Sequence, residues 1–101
     1  MNTFEYIKNW TSYKESFSFF LPEGSEGRPF DNQYEIIDIK KINNTMSIQL
    51  TENIKLCFEG DIKYNDEGCN LIIFNFKKLK YIVNGVLDKE FSDGEFCLTG
   101  F

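Results

Sequence analysis

The sequence predicts a mainly β fold: an antiparallel meander of seven to eight short strands that forms an open barrel or a small sandwich, with a short N-terminal helix. Three observations lead to this prediction. Ala, the strongest helix former, is absent, while Ile, Phe, Tyr and Thr, which favour strands, are frequent. Turn residues also recur between short apolar runs. With 101 residues there is room for one hydrophobic core, so residues 1–101 are expected to form a single domain.

The N-terminal segment 2–13 has the periodicity of a helix. Its apolar and aromatic side chains recur at three- and four-residue spacings: Phe4, Tyr6, Ile7, Trp10 and Tyr13. Asn2 or Thr3 can cap the first turn, because a short polar side chain accepts a hydrogen bond from a free backbone N–H at that position. The segment that follows, from Ser16 to Leu21, is predicted to be the first strand.

Apolar side chains at every second position predict two of the later strands. The alternation is clear at 46–50 and at 54–58, as expected of strands with one buried face. Further strands are predicted at 34–39 and at 95–101. Residues 71–76 are apolar on both faces, which places them in the interior of a sheet.

Turn residues separate these strands and are predicted at four places: 43–44, 51–53, 65–68 and 93–94. The strongest local signal is Asn84-Gly85. These two residues supply the two positive φ angles that a type I′ hairpin turn requires. Residues 80–83 and 86–90 should therefore pair as neighbouring antiparallel strands.

The charge balance restricts the classes of partner. The net charge is −5, and Arg28 is the only arginine. A field of this sign repels phosphate, so binding to nucleic acid or to an anionic membrane is not expected, whereas a basic protein partner is permitted. No run of about 20 apolar residues occurs, and the first residues lack the pattern of an export signal. A cytoplasmic location is therefore expected, with three unpaired cysteines.

Several kinds of catalytic chemistry lack their residues. The chain has no histidine, and it contains neither a phosphate-binding nor a dinucleotide-binding glycine motif. No cofactor or metal site and no catalytic residue is predicted, and the chain is not expected to be an enzyme. Three pairs of carboxylates lie beside predicted turns, where acidic residues commonly serve solubility and local hydrogen bonding: Glu59 with Asp61, Asp66 with Glu67, and Asp88 with Glu90.

The loop from Gly24 to Asn32 is the best candidate for a functional site. It lies in the connection from Pro22 to Asn32, which contains two prolines and two glycines and is long for a compact domain, where about 4–6 residues is the median. The candidate binding residues are Glu26, Arg28, Phe30, Asp31 and Asn32. Two interpretations stay open: the loop buttresses itself through an ion pair of Arg28 with a nearby acid, or Arg28 and its neighbours face a ligand or partner.

Leu21-Pro22 followed by Gly27-Arg28-Pro29-Phe30-Asp31-Asn32 resembles a stretch shared by small uncharacterised bacterial proteins of about this size. The resemblance covers residues 21–32 and implies no activity. The small acidic build also resembles immunity proteins that neutralise toxins, although this likeness is one of size and charge only.

Two hypotheses of function follow from the sequence. The first is a non-catalytic protein-binding module, of the immunity type, that neutralises a basic partner. The alternative is a small β-barrel that binds an apolar or aromatic small molecule, since eight strands can enclose one such ligand. An enzyme that uses carboxylates alone comes third.

Overall fold

A computed structural model describes residues 2–23 and 32–101. Within these residues the chain forms one helix and nine strands in two antiparallel sheets, which confirms the mainly β fold with an N-terminal helix. The sheets are not closed into a barrel, so the structure corresponds to the sandwich alternative. The elements are α1 (Thr3–Ser12), β1 (Phe17–Phe20), β2 (Ile36–Ile42), β3 (Thr45–Leu50), β4 (Ile54–Glu59), β5 (Lys63–Glu67), β6 (Asn70–Phe74), β7 (Lys78–Val83), β8 (Val86–Phe91) and β9 (Glu95–Gly100).

The strand order departs from a single meander. One sheet has four strands in the order β1-β9-β6-β5, and the other has five in the order β2-β3-β4-β7-β8. Hairpins join the consecutive strands within each sheet, and the chain changes sheets after β1, β4, β6 and β8. In the described residues, β2 and β8 are the edges of the five-stranded sheet.

The segment that contains β1 contacts the other sheet at both ends. At its start, Phe17 and Tyr34, which precedes β2, exchange two backbone hydrogen bonds of 2.7 Å. Beyond its end, Glu23 pairs with Lys89 on β8.

The core lies between the inner faces of the two sheets. Phe96 on β9 is at its centre, with ring centroids 5.7 Å from Phe19 on β1 and 5.2 Å from Phe58 on β4. All three side chains are almost fully buried. The space between the sheets is therefore occupied by aromatic rings that join them.

Helix α1 covers the core beside β2 and β5. Asn2 is its N-cap, since its Oδ1 accepts a hydrogen bond of 2.8 Å from the Glu5 N–H, as predicted for one of two candidate caps. Ile7 and Trp10 lie on the buried face of the helix. Among the described residues, no helix has the length and apolar character needed to cross a membrane.

The predicted hairpin at Asn84-Gly85 is confirmed. Both residues have positive φ angles, 54° and 76°. Val83 pairs with Val86, and the ladder continues to Lys80 opposite Glu90.

The turn predicted at 65–68 is wrong. Strand β5 continues through Glu67, and the turn is formed by Gly68 and Cys69. Residues Asn65 to Glu67 are polar because β5 is an exposed edge strand. Their backbone is held by the ladder to β6, with Asn65 opposite Ile72, and composition alone does not reveal such pairing.

Candidate functional site

The structure describes one of the five predicted site residues. Glu26, Arg28, Phe30 and Asp31 lie outside the described residues. Asn32 is exposed, and its Nδ2 lies 3.4 Å from the hydroxyl oxygen of buried Tyr34, to which it donates a long hydrogen bond.

The chain that follows Asn32 is fixed at the start of β1. The Ser16 hydroxyl donates a hydrogen bond of 3.0 Å to Oε1 of Gln33. The next residue, Tyr34, makes the two backbone hydrogen bonds with Phe17 described above. We call residues 32–34 the second stem of the candidate loop.

The first stem, residues 22–23, is fixed at the other end of β1. The carboxylate of Glu23 pairs with the Lys89 ammonium group, and this contact raises the pKa of Lys89. Pro22 packs closely on Gly94, where a Cβ atom would lie 2.8 Å from the Pro22 Cβ. Gly94 also has a φ of +106°, which other residues rarely adopt. The candidate loop is therefore attached to a rigid scaffold at two points, the usual arrangement for a binding loop.

Exposed apolar side chains lie on the same edge of the sheet as the first stem. Val86 and Leu87 at the start of β8 are 68% and 50% exposed. Lys89, which holds the stem, follows Leu87 by two residues on the same strand. We call Val86, Leu87 and the Glu23–Lys89 pair the β8 edge.

Two acids of the predicted carboxylate pairs lie near lysines. Glu59 lies 3.7 Å from the Nζ of Lys80, and Glu90 lies 3.7 Å from that of Lys78. Such exposed ion pairs contribute little to stability. No group of three or more acidic or cysteine side chains in residues 2–23 and 32–101 is placed to hold a metal ion.

Asp66 has a role that sequence reasoning missed. Its carboxylate accepts hydrogen bonds from the Tyr6 hydroxyl and from the Gly68 N–H, the latter at 3.0 Å. These bonds lower the pKa of Asp66, and the bond to Asp66 raises the pKa of Tyr6. The ring of Tyr6 also stacks on Tyr64, with centroids 4.3 Å apart. Because the partners are sixty residues apart in the sequence, no local pattern indicates this contact between helix and strand.

The three cysteines differ in exposure. Cys57 and Cys97 are half-buried on the outer faces of opposite sheets, and burial raises the pKa of both thiols. Cys69 is exposed in the turn after β5.

Comparisons of the chain with protein-family models, curated proteins and solved structures found no match. The candidate site is therefore defined by its geometry: two fixed loop stems, and two exposed aliphatic side chains on the strand whose Lys89 pairs with the first stem. Such an arrangement offers a partner an apolar contact framed by backbone and polar groups.

Proposed function

We propose that the protein is a non-catalytic protein-binding module that neutralises a basic partner in the manner of immunity proteins. The partner contacts the β8 edge together with the candidate loop, including Glu26, Arg28, Phe30, Asp31 and Asn32. One observation carries this proposal: Val86 and Leu87 are exposed on β8, the same strand whose Lys89 pairs with Glu23 of the first loop stem.

The charges on and near this surface support a basic partner. Lys89 is engaged by Glu23, so its charge is balanced locally. Asp88 and Asp93, which flank the edge, are exposed and make no ion pair among the described residues. Together with the net charge of −5, they give the surface a field that attracts a basic protein. For the same reason we propose that the protein does not bind nucleic acid.

The alternative hypothesis, a barrel that holds an apolar ligand, requires an enclosed lumen, whereas the two sheets are not closed into a barrel. The rings of Phe19, Phe58 and Phe96 occupy the centre of the space between them. The free cysteines are compatible with the cytoplasm, the location we propose.

Affinity purification from extracts of the producing cells tests the proposal. The bait is the full chain, compared with a Val86→Ser/Leu87→Ser variant and with the control Ile42→Ser. Ile42 is an exposed aliphatic residue, 67% accessible, on the opposite edge of the same sheet. We expect wild type and Ile42→Ser to retain the same basic protein and the double variant to lose it. Equal retention by all three would overturn the proposed surface.

Arg28→Ala separates the two interpretations of the loop. If Arg28 faces the partner, the substitution weakens binding and leaves the free energy of unfolding within about 0.5 kcal/mol. If Arg28 is partly buried against a carboxylate of its own chain, the unpaired acid costs about 3–5 kcal/mol. The second result would remove Arg28 from the proposed interface. Chemical denaturation and binding are measured on the same preparation.

A further inference from the structure

We propose that a groove between α1 and β2 binds an extended basic peptide segment, which adds as a further strand to β2, an edge strand among the described residues. This inference does not depend on the proposed function, since β2 and β8 are opposite edges of the five-stranded sheet. It assigns a second binding surface to the protein.

The groove has a volume of about 440 Å³, within the range of about 300–1,000 Å³ that is usual for ligand sites. Its helix side is formed by Lys8, Thr11 and Ser12, and its strand side by residues 35–39. Phe17 lies at the end where β1 departs. The opening is therefore bounded by a helix and a sheet edge, the setting in which many domains bind extended peptides.

The backbone of β2 turns hydrogen-bonding groups towards this groove. Tyr34 exchanges its backbone hydrogen bonds with Phe17, on the outer side of the strand. Glu35 directs its own groups to the opposite side, where both bond Thr51: its N–H to Oγ1 at 3.1 Å and its carbonyl to the N–H at 2.9 Å. Because this direction alternates along a strand, the N–H and carbonyl of Ile36 point to the same side as those of Tyr34. The backbone of an added strand would form its first hydrogen bonds with the N–H and carbonyl of Ile36.

An exposed aliphatic side chain marks the same position. The ladder between β2 and β3 shifts register between Ile36 and Asp38, which leaves Ile37 as the extra residue of a bulge. Ile37 is 64% exposed and lines the groove. An apolar side chain of a bound peptide could cover it.

The charges in the groove favour a basic peptide. Glu15 and Glu35 line it and make no ion pair within the described part of the chain. Asp38, the third acid, lies 3.5 Å from the Nζ of Lys40. Two carboxylates are thus available to lysine or arginine side chains of the added strand.

The two lysines that line the groove lie over aromatic rings of the helix. The Nζ of Lys8 lies 5.8 Å from the centroid of Phe4, and that of Lys14 lies 4.9 Å from the centroid of Trp10. Both ammonium groups therefore contact rings of the N-terminal segment, and neither makes an ion pair with a carboxylate in the described part of the chain.

Titration by NMR tests the inference with two synthetic peptides of eight residues, one alternating Val with Lys and one alternating Val with Glu. We expect the basic peptide to shift the amide signals of residues 8–15 and 35–39. We expect Ile37→Ser and Glu35→Gln each to weaken its binding by about fivefold or more, the loss expected for one contact of about 1 kcal/mol. Ile42→Ser is the matched control on the same strand, since Ile42 does not line the groove. The side chains of Ile37, Glu35 and Ile42 are all exposed, so the three substitutions should not disturb the core. Circular dichroism verifies that each variant is folded.

The inference is wrong if the acidic peptide binds as tightly, if the shifted signals lie outside the groove, or if Ile42→Ser weakens binding as much as Ile37→Ser. A concentration-dependent dimer that Ile37→Ser abolishes would show that a second copy of the chain occupies the edge, and would equally contradict a peptide site. Val86→Ser/Leu87→Ser leaves peptide binding unchanged, so failure here and failure of the proposed function are distinguishable.

Discussion

Tyr6 on α1 and Asp66 on β5 join the helix to the edge of the four-stranded sheet. The tyrosine hydroxyl donates a hydrogen bond to the carboxylate, and the tyrosine ring stacks on Tyr64 of the same strand. The Gly68 N–H donates a second hydrogen bond to Asp66. The position of the helix is thereby linked to the ionisation of one exposed carboxylate.

This link predicts a pH dependence of stability. The two hydrogen bonds hold the pKa of Asp66 below its usual range, which is about 4 in the unfolded chain. The carboxylate therefore stabilises the fold fully above about pH 4, and this contribution is lost as the pH falls through the folded-state pKa. We expect Asp66→Asn to lower the free energy of unfolding at pH 7 by about 1 kcal/mol or less, since the contact is exposed.

Chemical denaturation of both proteins from pH 7 to pH 3 checks this expectation. The difference between Asp66→Asn and wild type should narrow as the pH falls below about 4, because the unfolded chain then takes up a proton at Asp66 and the advantage of the folded-state carboxylate is progressively lost. Glu67→Gln, which changes the neighbouring exposed acid on the same strand, is the control and should show no such narrowing. A difference that is constant with pH would contradict the role given to Asp66.

The aromatic centre of the sandwich predicts a large loss of stability on truncation. Phe96 is fully buried and contacts rings from both sheets, so Phe96→Ala should cost about 3–5 kcal/mol. Phe101 is 53% exposed, and Phe101→Ala should change stability by no more than about 0.5 kcal/mol. Denaturant midpoints of the two variants provide the measurement, and similar losses would mean that Phe96 does not join the sheets.

The cysteines should differ in reactivity and should not form disulfides. Cys69 is exposed, whereas burial raises the pKa of Cys57 and Cys97. Cys97 lies opposite Ile72, three residues from Cys69, so the two Cα atoms are about 10 Å apart, too far for a disulfide. Iodoacetamide should label Cys69 first, as followed by intact mass and peptide mapping. Faster labelling of Cys57, or a melting temperature that falls on adding reductant, would be inconsistent with these positions.

The first loop stem predicts unequal effects of two glycine substitutions. Gly85 and Gly94 both have positive φ angles, so a side chain strains either turn by about 1–2 kcal/mol. At Gly85 nothing lies within 4 Å of an added Cβ, whereas at Gly94 the Cβ would collide with Pro22. Gly94→Ala should therefore destabilise the fold more than Gly85→Ala, in thermal unfolding of both. Equal effects would show that Pro22 moves away freely.

Local patterns were sufficient to predict much of the fold. The Asn2 cap, the apolar alternation of β3 and β4, and the Asn84-Gly85 hairpin all depend on interactions between residues close in sequence. Such signals are strong because helix caps and tight turns need particular residue types.

Long-range relationships could not be predicted in this way. The pairing of Phe17 with Tyr34 and that of Glu23 with Lys89 connect the segment of β1 to the other sheet, and neither has a local signature. The candidate loop was located by its composition. The exposed start of β8, on the strand that pairs with the first loop stem, becomes visible only when the edge of the sheet is known.

The dissociation constant of the complex with the purified basic partner tests the central claim most directly. Isothermal titration with wild type, Val86→Ser/Leu87→Ser and Ile42→Ser should give binding that the double variant weakens about tenfold or more, as expected for the loss of about 1.4 kcal/mol. Ile42→Ser should bind as wild type does, and added salt should weaken wild-type binding because the attraction is partly electrostatic. Equal dissociation constants for all three proteins would contradict the assignment of the β8 edge as the surface that binds the partner.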